Sequence, residues 1–427
     1  MTFAILLGLL AGIFSGIIPA VGNFTTIILF IPLLTKFNVY ELVLFYMTLT
    51  AISQYVCSIP AILFGIPGET SSIPVVQESK NLSWSEKVEA LVGCAYGSFI
   101  GTVSVFVCIY VFSSHIERIV QPMFTSYILA SMLCVSLIAI CLVSNKSAWF
   151  SVFNAMLGAG LALIGINTFF NIHFTFGFSL FSGGIPDILV ITFLLGFPEL
   201  YQNAKIQAVN LQLTQIDHRP FTAIVLPKWY VSLSATVVGA LGGIVPGLTF
   251  IASSSIAHTV SKWANVPALQ RIFASESANN AGSVTQLLPL LLFAIPISGG
   301  EALILMMLNQ QAFSVSTYSF SSIYDYVGYN FLIVNMLGLA ITLALSYAAS
   351  KVTRINVRHI VTFAMIVMVS SIMYESFSKG VFLNYVLISV FLLPLGWVLR
   401  NRNNMPLVFS FLVFDRLTEA VYRVFIL

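Results

Sequence analysis

Apolar stretches separated by short polar joints run through almost the whole chain. A membrane-spanning helix needs about 20 predominantly apolar residues, and stretches of about this length recur, so we predict on the order of 10 to 14 membrane segments. The first basic residue is Lys36, so we interpret the N-terminal apolar run as a first membrane segment and not as a cleaved signal. A polar joint at residues 206–230 separates a first membrane repeat, 1–205, from a second, 231–427.

Composition narrows the class of protein. Hydrophobic residues make up 58% of the chain and charged residues 8%, whereas soluble domains carry about 25% charged residues. We therefore predict an all-α, multi-pass membrane protein. The net charge of +3 is dispersed, which argues against nucleic-acid binding. The five cysteines form no CxxC pattern, so neither a disulfide framework nor a cysteine metal site is predicted.

The second half of the sequence repeats landmarks of the first. GIIPAVG in the first half is matched by GIVPGLT in the second, and FGIPG is matched by FAIPI. The matched landmarks are Pro19 with Pro246 and Asn38 with Asn265 at an offset of 227, Pro67 with Pro296 at 229, and Pro186 with Pro406 at 220. Such spacing predicts two related halves.

Charge favours an inverted relation between the halves. The basic joints at Lys205, Lys351 and Arg400 are expected on the cytoplasmic side of the membrane. This places the end of the first half on the cytoplasmic side and the C-terminus on the outer side. We therefore predict an inverted repeat with broken helices or re-entrant hairpins at mid-membrane.

Each half carries two loops in which Pro and Gly interrupt an apolar run. Broken helices leave free N–H groups and a partial positive charge at half-helix N-termini, which suit a carboxylate ligand. The alternative is that Pro and Gly only kink the helices. The candidate substrate-binding residues are Pro19, Gly22, Asn23, Thr25, Pro67, Gly68, Thr70, Ser71, Pro246, Gly247, Thr249, Ser253, Asn279, Asn280, Pro296, Ser298 and Gly299.

The most polar stretch lies at residues 274–301. Glu276, Asn279, Asn280 and Ser283 are spaced to share one helical face. A carboxylate with amide oxygens is a candidate site for Na⁺ or a coupling proton, and we assign Glu276, Asn279 and Asn280 to it. The alternative is a polar clamp between helices. The counterpart in the first half lies around residues 49–54, where the polar side chains are uncharged.

Two further carboxylates each follow a Pro/Gly break. Glu69 and Glu301 could stay ionised by facing water. For Glu69 an interfacial position is the favoured interpretation, because a charged joint follows it.

These motifs resemble the large membrane subunit of the tripartite tricarboxylate transporters. The similarity lies in the GxxP loops of both halves, the IPG at 66–68, the FTFGFSLFSGGIPDILVITFLLGFPELY run, the ESANNA motif at Glu276 followed by LLPLLLFAIP, and the closing MPLVFSFLVFDRLTEAVYRV. The sequences PAVGN and IPISGG depart from the usual pattern, so the chain resembles a shortened and divergent member.

The resemblance implies a secondary active transporter in the inner (cytoplasmic) membrane. Such a carrier imports a small di- or tricarboxylate, is driven by Na⁺ or H⁺, and works with a small four-helix membrane subunit and a periplasmic substrate-binding protein. An elevator-like shift of one helix bundle is expected. No enzymatic activity and no cofactor beyond Na⁺ as coupling ion are predicted. The rival interpretations are an intramembrane lipid-modifying enzyme and a non-transporting membrane scaffold.

Overall fold

The structure is a computed structural model of the whole chain. It describes all residues except 1, 19–21, 65–68, 80–81, 121–125, 145–146, 168–171, 179–180, 187–188, 191, 198–208, 211–228, 245–249, 312, 314–317, 350–353, 356–365, 367–368, 371, 374–375, 378–380, 403 and 427. Helices dominate the described residues, which confirms the helical class predicted from composition.

The first half consists mainly of eight helices. They are α1 (Thr2–Ile17), α2 (Asn23–Leu34), α3 (Val39–Val56), α4 (Ser58–Phe64), a 3₁₀ turn (Thr70–Ser72), α5 (Ile73–Ser79), α6 (Trp84–Val120), α7 (Ser126–Ser144) and α8 (Ala148–Ala162). A short antiparallel pair, β1 (Gly165–Asn167) with β2 (Ile172–Phe174), and a π-helical turn (Thr192–Gly196) follow.

The second half is again helical. Its helices are α9 (Trp229–Ile244), α10 (Phe250–Trp263), α11 (Ala268–Thr285), α12 (Leu287–Phe293), α13 (Gly299–Gln310), α14 (Phe320–Ala349), α15 (Phe382–Leu399) and α16 (Met405–Ile426). One more antiparallel pair joins β3 (Val209–Asn210) to β4 (Arg354–Ile355).

Several elements of the two halves begin at a constant offset. Helices α11, α12 and α13 start 229 residues after α3, α4 and the 3₁₀ turn. This offset equals that between Pro67 and Pro296. The inverted orientation of the halves remains a prediction.

Glycines bring the first and third helices of each half into close contact. A Cβ on Gly12 or Gly16 of α1 would lie 2.8 Å from the Leu49 carbonyl oxygen or 2.5 Å from that of Ser53, on α3. In the second half, Gly239 and Gly243 of α9 meet α11 in the same way. Small residues at such spacing allow the backbones of membrane helices to pack closely.

The third helix of each half also packs on the long helix of the other half. Helix α3 contacts α14, and α11 contacts α6. Nearly all residues of α3 are buried, so α3 and α11 lie at the centre of the helical bundle. The two halves are therefore interlocked and do not form separate domains.

Four described stretches are long and apolar enough to cross a membrane. They are Val39–Leu63, Glu86–Ile119, Phe320–Ala348 and Phe382–Leu399. Shorter apolar helices, including α1 and α2, add to them. The chain is therefore a multi-pass membrane protein.

Candidate functional site

Described helical residues lie on both sides of each predicted loop. The flanking pairs are α1 and α2, α4 and the 3₁₀ turn, α9 and α10, and α12 and α13. Residues 294–298 between α12 and α13 are non-helical, and the first N–H groups of a helix have no partner within it. Pro19, Pro67, Gly68, Pro246, Gly247 and Thr249 lie outside the described residues. Thr70 opens the 3₁₀ turn, and its side chain also lies outside them.

The best connected polar cluster surrounds Gln54, near the end of α3. The Gln54 Nε2 donates a 2.5 Å hydrogen bond to Glu69 Oε2, and Ser53 Oγ donates a 2.7 Å bond to Glu69 Oε1. Glu69 precedes the 3₁₀ turn, at the second break. Its side chain is half-buried, and these two hydrogen bonds tie the carboxylate to α3, while the interfacial position favoured by the sequence stays a prediction.

Asn279 links this cluster to the second half. Its Nδ2 donates to Gln54 Oε1, which also accepts a 3.3 Å hydrogen bond from Ser71 Oγ. Asn279 also interacts electrostatically with the Glu276 carboxylate, three residues earlier on α11. A chain of side-chain interactions thus runs from Glu69 through Gln54 and Asn279 to Glu276.

Side chains from the first and third loops extend the cluster. Asn23 Oδ1 accepts a 2.8 Å hydrogen bond from Ser15 Oγ, which in turn accepts a 3.4 Å bond from Ser53 Oγ. Ser254 on α10 donates a 2.9 Å bond to the Ser71 carbonyl oxygen. Three of the four breaks therefore meet around Gln54.

Two oxygens of this cluster are buried without a hydrogen-bond partner, namely Glu276 Oε2 and Asn279 Oδ1. No described Lys, Arg or His side chain forms an ion pair with Glu69 or Glu276. Leaving an ionised carboxylate unpaired in a protein interior costs several kcal/mol. The arrangement therefore has the chemistry to accept a cation or a proton.

Asn280 has a different environment from Asn279. Its Nδ2 donates 2.9 Å hydrogen bonds to Ser98 Oγ and to the Glu276 carbonyl oxygen, and its Oδ1 accepts a 3.3 Å bond from Thr102. These contacts join α11 to α6. The structure thus gives Asn280 the partners of a clamp between helices.

The predicted residues of the fourth loop belong to a separate cluster. Ser298 caps α13, and Glu301 reaches back to the backbone N–H groups of Ile297 and Ser298 at 2.6 and 3.1 Å. Pro296 is buried and Gly299 half-buried. The Ser298 hydroxyl lies 3.5 Å from Tyr46 Oη on α3.

The remaining described candidates lie beside these clusters. Gly22 is the N-cap residue of α2, and Thr25 is buried with its hydroxyl oxygen unpaired. Ser253 is buried against the glycine face between α9 and α10.

An ionic cluster on one side of the site also joins the halves. Glu78 on α5 accepts two hydrogen bonds from Arg271 on α11, at 2.9 and 2.8 Å, and contacts His258 on α10 at 2.9 Å. Burial raises the pKa of Glu78, but the contacts with Arg271 and His258 outweigh burial and hold its pKa below the ordinary value.

Sequence reasoning missed Ser15 and did not assign Ser53 and Gln54 to the binding site. The available signal was the polar patch in α3, which was recognised only as the plainer counterpart of the ESANNA motif. Gln54 faces Asn279 across 225 residues, and no local pattern indicates that pairing.

Residues 2–409 match the family described as "Tripartite tricarboxylate transporter TctA family". The chain is also similar to a protein of Agrobacterium vitis described as "Uncharacterized 52.8 kDa protein in TAR-I ttuC' 3'region". The two are 26% identical over 323 residues, which cover 70% of this chain and 61% of that relative. The match thus spans less than two thirds of the relative's length. No solved structure matches the chain.

Proposed function

Because the chain belongs to the TctA family of tripartite tricarboxylate transporters, we propose that it is the large membrane subunit of a secondary active transporter. It imports a small organic anion of the di- or tricarboxylate class. Import is coupled to Na⁺ or H⁺, and the working complex includes a small four-helix membrane subunit and a periplasmic binding protein. The complex resides in the inner membrane.

The observation that carries this proposal is the contact chain from Glu69 through Gln54 and Asn279 to Glu276. It crosses from one half of the chain to the other beside three helix breaks. Interfaces between the repeats of transporters, lined by discontinuous helices, are where substrates and coupling ions bind.

Coupling to a cation follows from the charges in the chain of contacts. Glu69 and Glu276 are two acidic groups in one polar interior, and Glu276 Oε2 and Asn279 Oδ1 are acceptors without a donor. A Na⁺ ion or a proton offsets the negative charge and satisfies these oxygens. Asn280 supports this site by fixing α11 against α6.

The N-terminus of α2 and the 3₁₀ turn supply the substrate site. Their N–H groups and helix dipoles attract the carboxylates of the anion, and hydroxyls such as those of Thr25 and Ser71 add donors. A bound cation supplies positive charge beside the substrate. The anion therefore binds tightly only when the coupling ion is present.

Alternating access requires the two halves to move relative to the membrane while this interface stays intact. The glycine contacts hold α1 on α3 and α9 on α11, so each pair moves as one body. We propose an elevator-like shift of these pairs, together with α6 to which Asn280 fixes α11, relative to the rest of the protein.

Uptake into proteoliposomes tests the proposal. The purified chain is reconstituted with the small membrane subunit and the binding protein, and radiolabelled di- and tricarboxylates are offered with and without inward Na⁺ and pH gradients. We expect gradient-dependent uptake of at least one of these anions. Parallel vesicles without protein serve as the inactive control.

Absence of uptake for every di- and tricarboxylate under both gradients, from folded protein, contradicts the proposal. Conversion of added lipid by the same vesicles instead indicates the lipid-modifying enzyme. A correctly assembled protein that neither takes up these anions nor converts lipid indicates the non-transporting scaffold.

A further inference from the structure

We propose that Tyr46, Gln286, Ser298 and Glu301 form a second site for a monovalent metal cation, Na⁺, separate from the site at Glu276. These four residues are called the α13 cluster below. Only the role of this ion in coupling rests on the proposed transport function. Binding of the ion can be measured without transport.

The Glu301 carboxylate is the charged group of the α13 cluster. Its side chain is 0% exposed, and no described Lys, Arg or His forms an ion pair with it. Oε2 accepts hydrogen bonds from the N–H groups of Ile297 and Ser298, whereas Oε1 has no partner. One carboxylate oxygen, Oε2, therefore caps α13, and the other, Oε1, is available to a ligand.

Gln286 supplies a second unpaired oxygen. It lies at the junction between α11 and α12, is 1% exposed, and has no partner at Oε1. Its amide interacts electrostatically with Tyr46 and with the Glu301 carboxylate. Two buried acceptors thus belong to side chains that interact with each other.

The chemistry of the cluster selects a cation. Two unpaired acceptors leave no role for an anion, and hard cations prefer ligands that are all oxygen. The hydroxyls of Tyr46 and Ser298 add two more oxygens 3.5 Å apart. A Cβ placed on Gly300 would lie 3.3 Å from both Ile27 Cδ1 and Tyr46 Oη, so the wall is closely packed and favours an ion without its water shell.

The α13 cluster also mirrors the cluster around Gln54 in how it is assembled. The 3₁₀ turn of the first half packs on α10 and α11 of the second, while α13 of the second half packs on α2 and α3 of the first. Each break is therefore closed by the second and third helices of the opposite half. A cation at each position links the two halves at two separate points.

Equilibrium binding of ²²Na⁺ to the purified full-length chain, without substrate, tests the inference. Glu301→Gln removes the charge but keeps the capping box, because Gln also serves at that position. Gln286→Met keeps the approximate shape and removes the acceptor. Glu86→Gln is the matched control, since Glu86 forms the same capping box with Ser83 on the exposed end of α6.

We expect Glu301→Gln and Gln286→Met to weaken one class of Na⁺ site by about tenfold or more, because even outer-shell partners of metal ligands contribute 10- to 100-fold. Glu86→Gln should bind as the wild type does. The Glu276→Gln variant should keep the binding that Glu301→Gln loses. This pattern supports the second site even if no carboxylate transport is found.

Three results overturn the inference. One is unchanged Na⁺ binding in both variants at the α13 cluster when they elute as folded protein. Another is loss of all Na⁺ binding in Glu276→Gln alone, which leaves a single site in the Gln54 cluster. The third is that acid, and not Na⁺, raises the unfolding temperature of the wild-type chain. In that case the α13 cluster holds a proton on Glu301 and not Na⁺.

Discussion

The amide of Asn279 donates a hydrogen bond to the amide oxygen of Gln54, across 225 residues of sequence. Because Gln54 in turn donates to Glu69, α11 of the second half is linked to the break that follows α4 in the first. The third helices of the two halves are therefore connected at this point.

Adjacent asparagines on α11 allow a direct test of this relationship. Asn279→Ala removes one of the donors to Gln54 Oε1, which keeps its hydrogen bond from Ser71, and the loss of one hydrogen bond costs about 0.5–1.5 kcal/mol. If that energy is used in the transport cycle, uptake falls roughly 2- to 12-fold. We expect this loss in proteoliposome uptake, with a normal elution profile in size-exclusion chromatography.

Asn280→Ala should act on stability instead. It deletes the contacts with Ser98 and Thr102 on α6, so we expect a lower unfolding temperature and an unchanged ion dependence of the uptake that remains. Equal effects of the two substitutions on both properties would show that the two asparagines do not have separate roles.

Glu69→Gln tests the acidic end of the contact chain. Ser53 and Gln54 both donate to the carboxylate, and hydrogen bonds to charged groups are worth about 1.5–3 kcal/mol. An amide offers one oxygen in place of two and carries no charge. We expect the initial rate of uptake to lose its dependence on Na⁺ or pH, measured across gradients of both.

Two variants control for this experiment. Glu69→Asp should retain the ion dependence with a weaker apparent affinity, since it keeps the charge. Glu86→Gln removes an exposed carboxylate on α6 and should behave as the wild type. Ion-dependent uptake at wild-type affinity in Glu69→Gln would exclude this carboxylate from coupling.

Much of the helical architecture follows from local sequence. Asn38 and Glu41 form the capping box that starts α3, and the predicted fourth loop contains the non-helical residues 294–298 between α12 and α13. The recurring offset was also visible, because duplicated landmarks such as Pro67 and Pro296 keep their spacing along the chain.

The hydrogen-bond partners of the polar side chains were harder to predict from sequence. One helical face was predicted for Glu276, Asn279 and Asn280, yet Asn279 contacts α3 and Asn280 contacts α6. Adjacent residues on a helix point in directions about 100° apart. Two adjacent residues of the same type can therefore contact two different helices. Only the packing of α11 between α3 and α6 separates them.

The glycine contacts predict a sharp difference between similar substitutions. A Cβ on Gly239 would lie 2.2 Å from the Ala278 carbonyl oxygen, and one on Gly12 would lie 2.6 Å from Ile52 Cβ. Overpacking of this kind costs about 1–3 kcal/mol. We expect Gly239→Ala and Gly12→Ala to lower the unfolding temperature.

Gly160→Ala on α8 is the matched control. No atom lies within 4 Å of the added Cβ, and alanine favours a helix over glycine by about 0.5–1 kcal/mol. Its unfolding temperature should be unchanged or slightly higher. A similar decrease in all three variants would mean that helix packing at the two glycine faces is not the cause.

The contact of Glu78 with Arg271 and His258 predicts an acid-sensitive link between the halves. The pKa of Glu78 is lower in the folded chain than its ordinary value of 4.5, so the folded state binds its proton less readily than the unfolded state. The resulting stabilisation is present above about pH 4.5 and is lost as the pH falls through the folded pKa.

Thermal unfolding of the wild type and of Glu78→Gln, followed between neutral and acidic pH, measures this contribution. We expect the variant to unfold at a lower temperature at neutral pH, because it loses the carboxylate that pairs with Arg271. The two unfolding temperatures should converge in acid, where the wild-type carboxyl is also uncharged. A constant difference between the two across this pH range would show that Glu78 contributes through packing and not through its charge.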